Sequence, residues 1–281
     1  MLTMIEVDSP RSREFLQLPL EESFEPGGQL NYFVRDVDGL DPVDAEIAKS
    51  DLAGIDGVYI QSSRVGARNI VLTLGMNPDF EQTSVQSLRN ELYRYFMPKG
   101  SVRINFYDNE FPDKTIVGTI ESLTFPIFTK DPTATVSILC PNPYFSSINN
   151  QEVTYQVTPQ SNEEELEYGG SAEAGFVLSM FPDKNVETKQ YTLTVQNGST
   201  PSQVFKFGTH IDADEMLWLD TRPGHRRLYL ESGSKTRNIL HTVNVDSVWP
   251  TFNAGSNLVR LYAISEPFDY TISYYEAFGG L

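Results

Sequence analysis

The sequence predicts a mainly β protein of two domains, in which a β-barrel-like domain with one flanking α-helix precedes a β-sandwich. Its 281 residues exceed the usual size of a single compact domain. Hydrophobic residues make up 40% and aromatic residues 12%, enough for two buried cores. Apart from one helical stretch, apolar residues occur in short runs separated by turn residues. We place the first domain at residues 1–147 and the second at residues 148–281.

The first 57 residues are rich in Pro, Gly and Asp and show little periodicity. Short strands are predicted at residues 4–7 and 30–34. The rest is interpreted as an extended arm, whose partners lie elsewhere in the protein or in a neighbouring copy. A regular β-rich strand then runs over residues 68–74 and is closed by Gly75.

One amphipathic helix follows this strand. Thr83 has the spacing of an N-cap, with Gln86 three residues later completing a capping box. Pro98 and Gly100 end the helix. Its apolar face, at helical spacing, consists of Val85, Leu88, Leu92 and Phe96. We therefore expect a single helix packed on a sheet.

Three further strands, at residues 102–107, 115–125 and 134–140, complete the first domain. In the last of them Cys140 shares a face with Val136 and Ile138. Cys140 is the only cysteine, which excludes an intrachain disulfide framework and a Cys-rich zinc site. We interpret it as a buried core thiol. Two prolines, Pro141 and Pro143, end the strand.

The second domain contains only β signals. Turn sequences such as Asn197-Gly198 and Arg222-Pro223-Gly224 separate its short strands. The predicted strands lie at residues 152–157, 175–180, 191–195, 204–207, 216–219, 227–230, 258–264 and 270–275. Many short strands with no helix between them indicate a β-sandwich.

The charge and hydropathy of the chain exclude several classes of function. A net charge of −17 opposes stable nucleic-acid binding, which depends on Lys and Arg neutralising phosphates. No apolar stretch approaches the roughly 20 residues that span a bilayer. The first eight residues lack the basic and apolar segments of a signal peptide. We expect no membrane insertion, and folding in a cytoplasm.

Two clusters of ionisable residues are candidate sites. His210, Asp212 and Asp214 would share one face of an extended strand, within reach of a divalent cation. Three ligands on one strand rarely complete a coordination sphere, so a solvent-exposed face or turn is favoured. Residues 163–165, all Glu, and Glu167 include the paired carboxylates that a glycoside hydrolase needs. Glutamates bunched in this way are more typical of a solvated loop.

A third cluster is aromatic, with Trp218 and Trp249 as its main members. Exposed aromatics on a β-sandwich can stack on sugar rings, so both are candidate carbohydrate contacts. Their neighbours Leu217, Leu219 and Pro250 are also compatible with ordinary packing. The sequence contains no nucleophile elbow, no His-Glu-x-x-His and no phosphate-binding loop. We expect a protein that is not an enzyme, with no catalytic residue, no metal and no cofactor.

The first domain carries a recognisable order of elements, best matched over residues 30–145. A loop at Gly54-Ile55-Asp56-Gly57 leads to the strand at 68–74, the helix and the run at 116–123. The ending is Cys140-Pro141-Asn142-Pro143-Tyr144-Phe145. This order and ending resemble the N-terminal domain of siphophage distal tail proteins, in which a Cys-Pro-x-Pro-Tyr-Phe-like segment closes a β-barrel flanked by a helix. The second half is similar, more loosely, to the galectin-like or carbohydrate-module-like β-sandwich of such proteins.

The resemblance implies a bacteriophage structural protein in the virion, at the tail tip or baseplate. It implies a hexameric ring, assembled in the host cytoplasm, that contacts the tail tube protein and the tail-tip hub protein. Outward domains would dock receptor-binding proteins or bind cell-wall carbohydrate in host attachment. Six copies at −17 each carry −102, and we hypothesise an acidic lumen through which DNA passes without binding. A carbohydrate-binding host-adhesion module and, behind it, a glycoside hydrolase stay open as alternatives.

Overall fold

The computed structural model describes residues 2–12, 14–23, 30–51, 53–54, 56–78, 83–126, 131–157, 163–186, 190–198, 200–264 and 267–281. The chain divides into two compact units, Met1–Ile148 with Phe278–Leu281, and Asn149–Ala277. The second unit is therefore an insertion between two parts of the first. The boundary drawn from the sequence differs at the C-terminal end, where it assigned residues 278–281 to the sandwich. The predicted mainly β class is confirmed.

Within the described residues, the first unit contains one large antiparallel sheet and one α-helix. The elements are β1 (Leu2–Asp8), β2 (Leu16–Pro19), β3 (Tyr32–Asp38), β4 (Ala45–Asp51), β5 (Val58–Val65), β6 (Arg68–Met76), α1 (Val85–Tyr95), β7 (Ser101–Asp108), β8 (Lys114–Thr124), β9 (Thr133–Cys140) and β10 (Phe145–Ser147). The main sheet has the order β2-β1-β7-β8-β9-β6-β3. A parallel bridge between Leu20 and Val34 brings the chain after β2 to β3, so the sheet curls back on itself.

The core of the first unit lies inside the curled sheet and beneath α1. Alternate residues of β6 and β9 point inward, and Leu88 and Leu92 of α1 join the same core. Cys140 is fully buried, as predicted, and burial raises the pKa of its thiol to about 11. The predicted helix is present, but its N-cap is Ser84. Its Oγ accepts a hydrogen bond from the backbone N–H of Ser87 at 3.1 Å.

The extended arm predicted before Gly57 is partly wrong, because that stretch contains β2, and β4 begins a hairpin there. Among the residues that the structure describes, strands β4 and β5 pair only with each other and form a separate two-stranded sheet. None of the residues in the two strands is buried. Apolar and polar residues alternate along a strand when one of its faces is buried, and this alternation is what reveals a strand in a sequence. The hairpin buries neither face, so its sequence lacks this signal.

The second unit is a β-sandwich of a six-stranded and a four-stranded sheet, as predicted. The strands are β11 (Gln151–Val157), β12 (Glu164–Tyr168), β13 (Phe176–Met180), β14 (Tyr191–Asn197), β15 (Gln203–Phe207), β16 (Met216–Asp220), β17 (Arg227–Ser232), β18 (Lys235–Asn238), β19 (Gly255–Ala263) and β20 (Phe268–Tyr274). The sheets have the orders β11-β20-β13-β16-β17-β18 and β12-β19-β14-β15. Inward residues of both sheets, such as Leu178 and Leu193, share one core.

The end of the chain returns to the first unit. A short strand, β21 (Ala277–Phe278), closes the element order, and Phe278 joins the core of the first unit at 9% exposure. The backbone N–H of Leu281 donates to the carbonyl of Leu40 at 3.2 Å. In the part of the chain that the structure describes, no helix is both long and apolar enough to cross a membrane.

Candidate functional site

The β4–β5 hairpin presents an exposed apolar face. Residues directly opposite each other in an antiparallel pair point to the same side of the sheet. Strand β4 alternates regularly, which places Ile47 and Lys49 on one side, and Lys49 pairs with Ile60 across a bulge. Val58, opposite Asp51, lies on this side too. The exposed fractions of Ile47, Val58 and Ile60 are 52%, 53% and 58%. We call Ile47, Val58 and Ile60 the apolar hairpin face.

The other face of the hairpin is mostly polar, and its apolar members are Ala48 and Tyr59. Arg64 forms an ion pair with Glu46, with 2.7 Å between Nη2 and Oε2. Both side chains are well exposed, and such surface pairs contribute little to stability. The hairpin is therefore an exposed strand pair with no core of its own. Exposed apolar surface on a strand pair with open edges is typical of a protein contact site.

Arg68, at the start of β6, is a fully buried arginine at 1% exposure. Its guanidinium donates to the carbonyls of Pro143 and Asp41 at 2.7 Å each. It also donates to the carbonyls of Gly39 and Gly279. The ring of Phe145 lies 4.4 Å from the guanidinium carbon, a cation–π distance. Arg68 thus connects the loop after β3, the segment before β10 and the C-terminal residues within the first unit.

Trp218 lies on the outer face of the six-stranded sheet. It alternates along β16 with Leu217 and Leu219, which are buried in the sandwich core. Its ring stacks on that of Tyr229 in β17, with the planes 17° apart and the centroids separated by 6.4 Å. In the sheet register Trp218 belongs to a row of residues that contains one member from each of the six strands. The row runs through Thr154, Thr271, Ser179, Trp218, Tyr229 and Asn238.

Trp249 occupies a different environment. Its ring lies 4.8 Å from that of Phe205, a buried residue of β15, and it packs partly buried against the sandwich core. The guanidinium carbon of Arg226 lies 5.6 Å from the ring centroid of Trp249. Packing therefore accounts for Trp249, whereas Trp218 projects from the sheet. A carbohydrate contact at either tryptophan stays a prediction.

The His210 cluster forms a turn before β16 rather than an extended strand. The backbone N–H of Glu215 donates to the carbonyl of Asp212 at 3.0 Å, which closes the turn. His210 pairs with Asp212, with 2.8 Å between Nε2 and Oδ1, and Asp214 accepts from Ser232. Across the described ranges, no group of three or more His, Cys, Asp or Glu residues has the arrangement of a metal site.

The acidic run lies mainly on an edge strand of the sandwich. Glu164, Glu165 and Glu167 belong to β12, which pairs only with β19 in its sheet. Leu166 and Tyr168 point into the core, so Glu165 and Glu167 point to solvent. A side-chain oxygen of Glu165 accepts from the Ser256 hydroxyl. The sequence indicated a solvated loop here, and the structure places Glu165 and Glu167 on the outer side of a strand.

Residues 28–140 match a family described as the phage tail protein RIFT-related domain. The crystal structure of the Dit protein of phage SPP1 has a TM-score of 0.67 with this chain at 20% identity, over 99% of both chains. The SPP1 protein is described as a paradigm of the hub adsorption apparatus in phages that infect Gram-positive bacteria. No curated protein is similar to the chain in sequence.

Two structures of the phage P2 baseplate in its activated conformation, with Ca and with Sr, are also similar to the chain. Their TM-scores are 0.45 and 0.46 at 10% identity, over 97% of this chain and 98% of theirs. These scores are too low to support an inference. The fold shared with SPP1 Dit and the family match at residues 28–140 confirm the predicted resemblance to siphophage distal tail proteins.

Proposed function

Because residues 28–140 match a phage tail domain and the whole chain has the fold of SPP1 Dit, we propose that this protein is a structural subunit of a long-tailed bacteriophage tail tip. Six copies form a ring that joins the tail tube protein to the tail-tip hub protein. The role is non-enzymatic. The ring is assembled in the host cytoplasm and works in the virion.

The main support for the proposed ring is the exposure of the apolar hairpin face. A lone two-stranded hairpin is only marginally stable in water, and here its apolar side chains are more than half exposed. Covering Ile47, Val58 and Ile60 with a neighbouring subunit removes this surface from water. A hairpin that reaches a different surface of the next copy makes a heterologous contact, and heterologous contacts form a ring when the rotation between copies closes.

The charge of the chain supports the same role. A ring of six such chains carries −102, with −17 from each copy. Acidic side chains that line a ring lumen repel the phosphates of a passing genome, so that DNA moves through without stable binding. A basic lumen in a ring reconstruction would contradict this part of the proposal.

The second unit is proposed as an outward docking domain for receptor-binding proteins. Its principal alternative is a host-adhesion role in which the sandwich binds cell-wall carbohydrate, and the outward row that contains Trp218 favours this alternative. A glycoside hydrolase gains no support from the acidic run, since Glu165 and Glu167 line one edge strand. Hydrolysis needs two carboxylates placed on opposite sides of a bound sugar.

The ring is tested with variants of the two hairpin faces. The double variant Ile47→Ser, Ile60→Ser removes apolar side chains that are 52% and 58% exposed, so the monomer should keep its thermal unfolding midpoint. We expect six-membered rings of wild-type protein in negative-stain images and light scattering. The double variant should remain monomeric.

The matched control changes the polar face, with Glu46→Gln and Arg64→Gln. Both side chains are exposed, and their ion pair adds little to stability. This variant should form rings as wild type does. Rings that persist in the Ile47→Ser, Ile60→Ser variant, or a wild-type protein that stays monomeric at high concentration, would contradict assembly through the hairpin.

A further inference from the structure

The turn that follows β14 contains the only Asn-Gly pair of the sequence, Asn197-Gly198. Thr200 closes this turn, because its backbone N–H and its hydroxyl both donate to the Asn197 carbonyl, at 3.0 and 2.7 Å. Gly198 is exposed and has a positive φ of 50°. Since glycine carries no Cβ, the backbone nitrogen of residue 198 has no side chain of its own to shield it.

The side-chain amide of Asn197 is held by the loop at the start of β19. Its Nδ2 donates to three backbone carbonyls at 3.3, 3.2 and 3.2 Å, which belong to Asn253, Ala254 and Ser256. We call these three carbonyls the amide clamp. Because every group that meets Nδ2 in the clamp is an acceptor, the clamp requires a hydrogen-bond donor at this position.

A second amide fixes the shape of the clamp. Asn257 is fully buried and lies directly opposite Asn197 in the strand register, so the two side chains point to the same side of the sheet. Asn257 donates from Nδ2 to the carbonyls of Asn253 and Gly255 at 2.8 Å each. Its Oδ1 accepts from the backbone N–H of Asn253 at 3.1 Å. Two amides therefore hold one loop, and Asn197 is the one that glycine follows.

An Asn-Gly pair has a reaction of its own that needs only water. The backbone nitrogen of the glycine gives its proton to water or hydroxide and attacks Cγ of the asparagine. The new C–N bond closes a cyclic succinimide, and Nδ2 takes up a proton from water and leaves as ammonia. Water then opens the succinimide at either of its carbonyls, which yields aspartate or isoaspartate. Nothing is oxidised or reduced in these steps.

The amide clamp opposes this reaction at Asn197. Its Nδ2 is bonded to the loop at residues 253–256, so the side chain must leave the clamp before the amide is lost, and leaving breaks its hydrogen bonds. The product opposes a return to the clamp. A carboxylate has no N–H to donate, and it would place a negative charge against carbonyl oxygens.

We propose that Asn197-Gly198 is a deamidation site that the amide clamp protects, and that its conversion to aspartate or isoaspartate irreversibly releases the loop at residues 253–256. Reaction then proceeds through a transient local opening, and its rate follows the population of the open form. The modification goes beyond the structural role in a phage tail and does not depend on ring assembly.

The rate of deamidation in the full-length protein tests the protection. Wild-type protein is incubated at mildly alkaline pH in buffer or in guanidinium chloride, and peptide mass spectrometry with an isoaspartate assay follows Asn197. We expect the reaction to be at least about tenfold slower in the native protein, because the clamp must first open. Gly198→Ala should slow the reaction in both solutions, because its Cβ shields the attacking nitrogen.

A variant that strains the clamp should remove part of the protection. Gly255 has a φ of 86°, and a Cβ there would contact nothing within 4 Å, so Gly255→Ala strains the loop without a steric clash. Deamidation of Asn197 in the native variant should be at least about threefold faster than in wild type. The control is Gly233→Ala, in the turn between β17 and β18, where φ is 57° and the space is equally open. It should react at the wild-type rate.

The product of the reaction is tested directly with Asn197→Asp. It should lower the unfolding midpoint of the second unit, followed by tryptophan fluorescence, by at least about 3 °C. Asn185→Asp is the matched control. The Oδ1 of Asn185 accepts from the backbone N–H of Ala213 at 2.9 Å, a role that a carboxylate keeps, so the midpoint should not change.

Several results would overturn the proposal. Equal rates for wild type in buffer and in guanidinium chloride would show that the clamp gives no protection, and no reaction at Asn197 in either solution would exclude the site. A folded Gly255→Ala protein that reacts like wild type, or an Asn197→Asp protein as stable as wild type, would also contradict it. If Gly255→Ala does not fold, the comparison of native and denatured wild type decides.

Discussion

At the scale of single residues, Arg68 has an unusual environment within the first unit. Arginine is rarely buried without an acidic partner, yet this guanidinium is enclosed by four backbone carbonyls and the ring of Phe145. Burial lowers its pKa, while Cys140 and Asp41 oppose that shift. The carbonyls belong to three segments far apart in sequence. Arg68 therefore stabilises their arrangement as well as its own strand.

Replacing Arg68 tests this role. Arg68→Met keeps much of the side-chain volume but leaves four carbonyls without their donor, so the free energy of unfolding should fall by at least about 3 kcal/mol. The measurement is calorimetry or far-UV circular dichroism in urea. Intrinsic tryptophan fluorescence reports on the second unit, since Trp218 and Trp249, the two tryptophans, both lie there.

Arg64→Met is the matched control for this prediction. Arg64 lies on the hairpin with a side chain that is 80% exposed, so its replacement should change stability by no more than about 0.5 kcal/mol. Similar losses in the two variants would show that the carbonyl cage of Arg68 does not stabilise the fold. The sequence placed Arg68 only at the start of a strand, because nothing in its local pattern distinguishes an inward-facing arginine from an exposed one.

At the scale of elements, the start of α1 shows that sequence patterns cannot place a helix boundary to a single residue. Thr83 and Ser84 are adjacent hydroxyl residues, and both precede the apolar periodicity by a suitable spacing. The backbone decides between them. Ser84 has extended dihedral angles, φ −94° and ψ 156°, which direct its hydroxyl toward the N–H of Ser87. A capping position depends on where the chain turns into the helix, which the tertiary structure determines.

The cap leads to a stability prediction. Ser84→Ala should lower the free energy of unfolding by about 1 kcal/mol, because a donor in the first helical turn loses its acceptor. Ser87→Ala changes an exposed residue inside the helix, where alanine is the better helix former, and should cost nothing. Urea unfolding followed by circular dichroism compares them. A larger loss for Ser87→Ala than for Ser84→Ala would contradict the assignment of the cap.

At the scale of the whole molecule, the second unit is inserted between Ile148 and the last four residues. Those residues take part in the first unit in three ways. Phe278 enters its core, Gly279 accepts a hydrogen bond from Arg68, and Leu281 donates to Leu40. The first unit is therefore complete only when the chain has passed through the sandwich and returned.

Removal of residues 278–281 tests this dependence. The deletion should lower the unfolding temperature of the first unit strongly, since loss of a buried Phe alone costs about 3–5 kcal/mol. The transition of the second unit, followed by tryptophan fluorescence, should stay in place. Leu281→Ser, at a side chain that is 44% exposed, is the control and should leave both transitions unchanged. Equal shifts of both transitions would contradict the prediction that residues 278–281 stabilise the first unit and not the second.

The sequence by itself determined the mainly β class, the single helix, the sandwich and the buried Cys140, because each depends on local periodicity, turn residues or composition. The resemblance to siphophage distal tail proteins over residues 30–145 was also recognisable from the sequence, through the order of elements and the segment that ends at Phe145. Only the tertiary structure revealed the β4–β5 hairpin, whose exposed strands lack the alternation that burial produces. The tertiary structure also revealed the carbonyl cage of Arg68, the return of residues 278–281 to the first unit and the row through Trp218, because each of them joins segments that are distant in sequence.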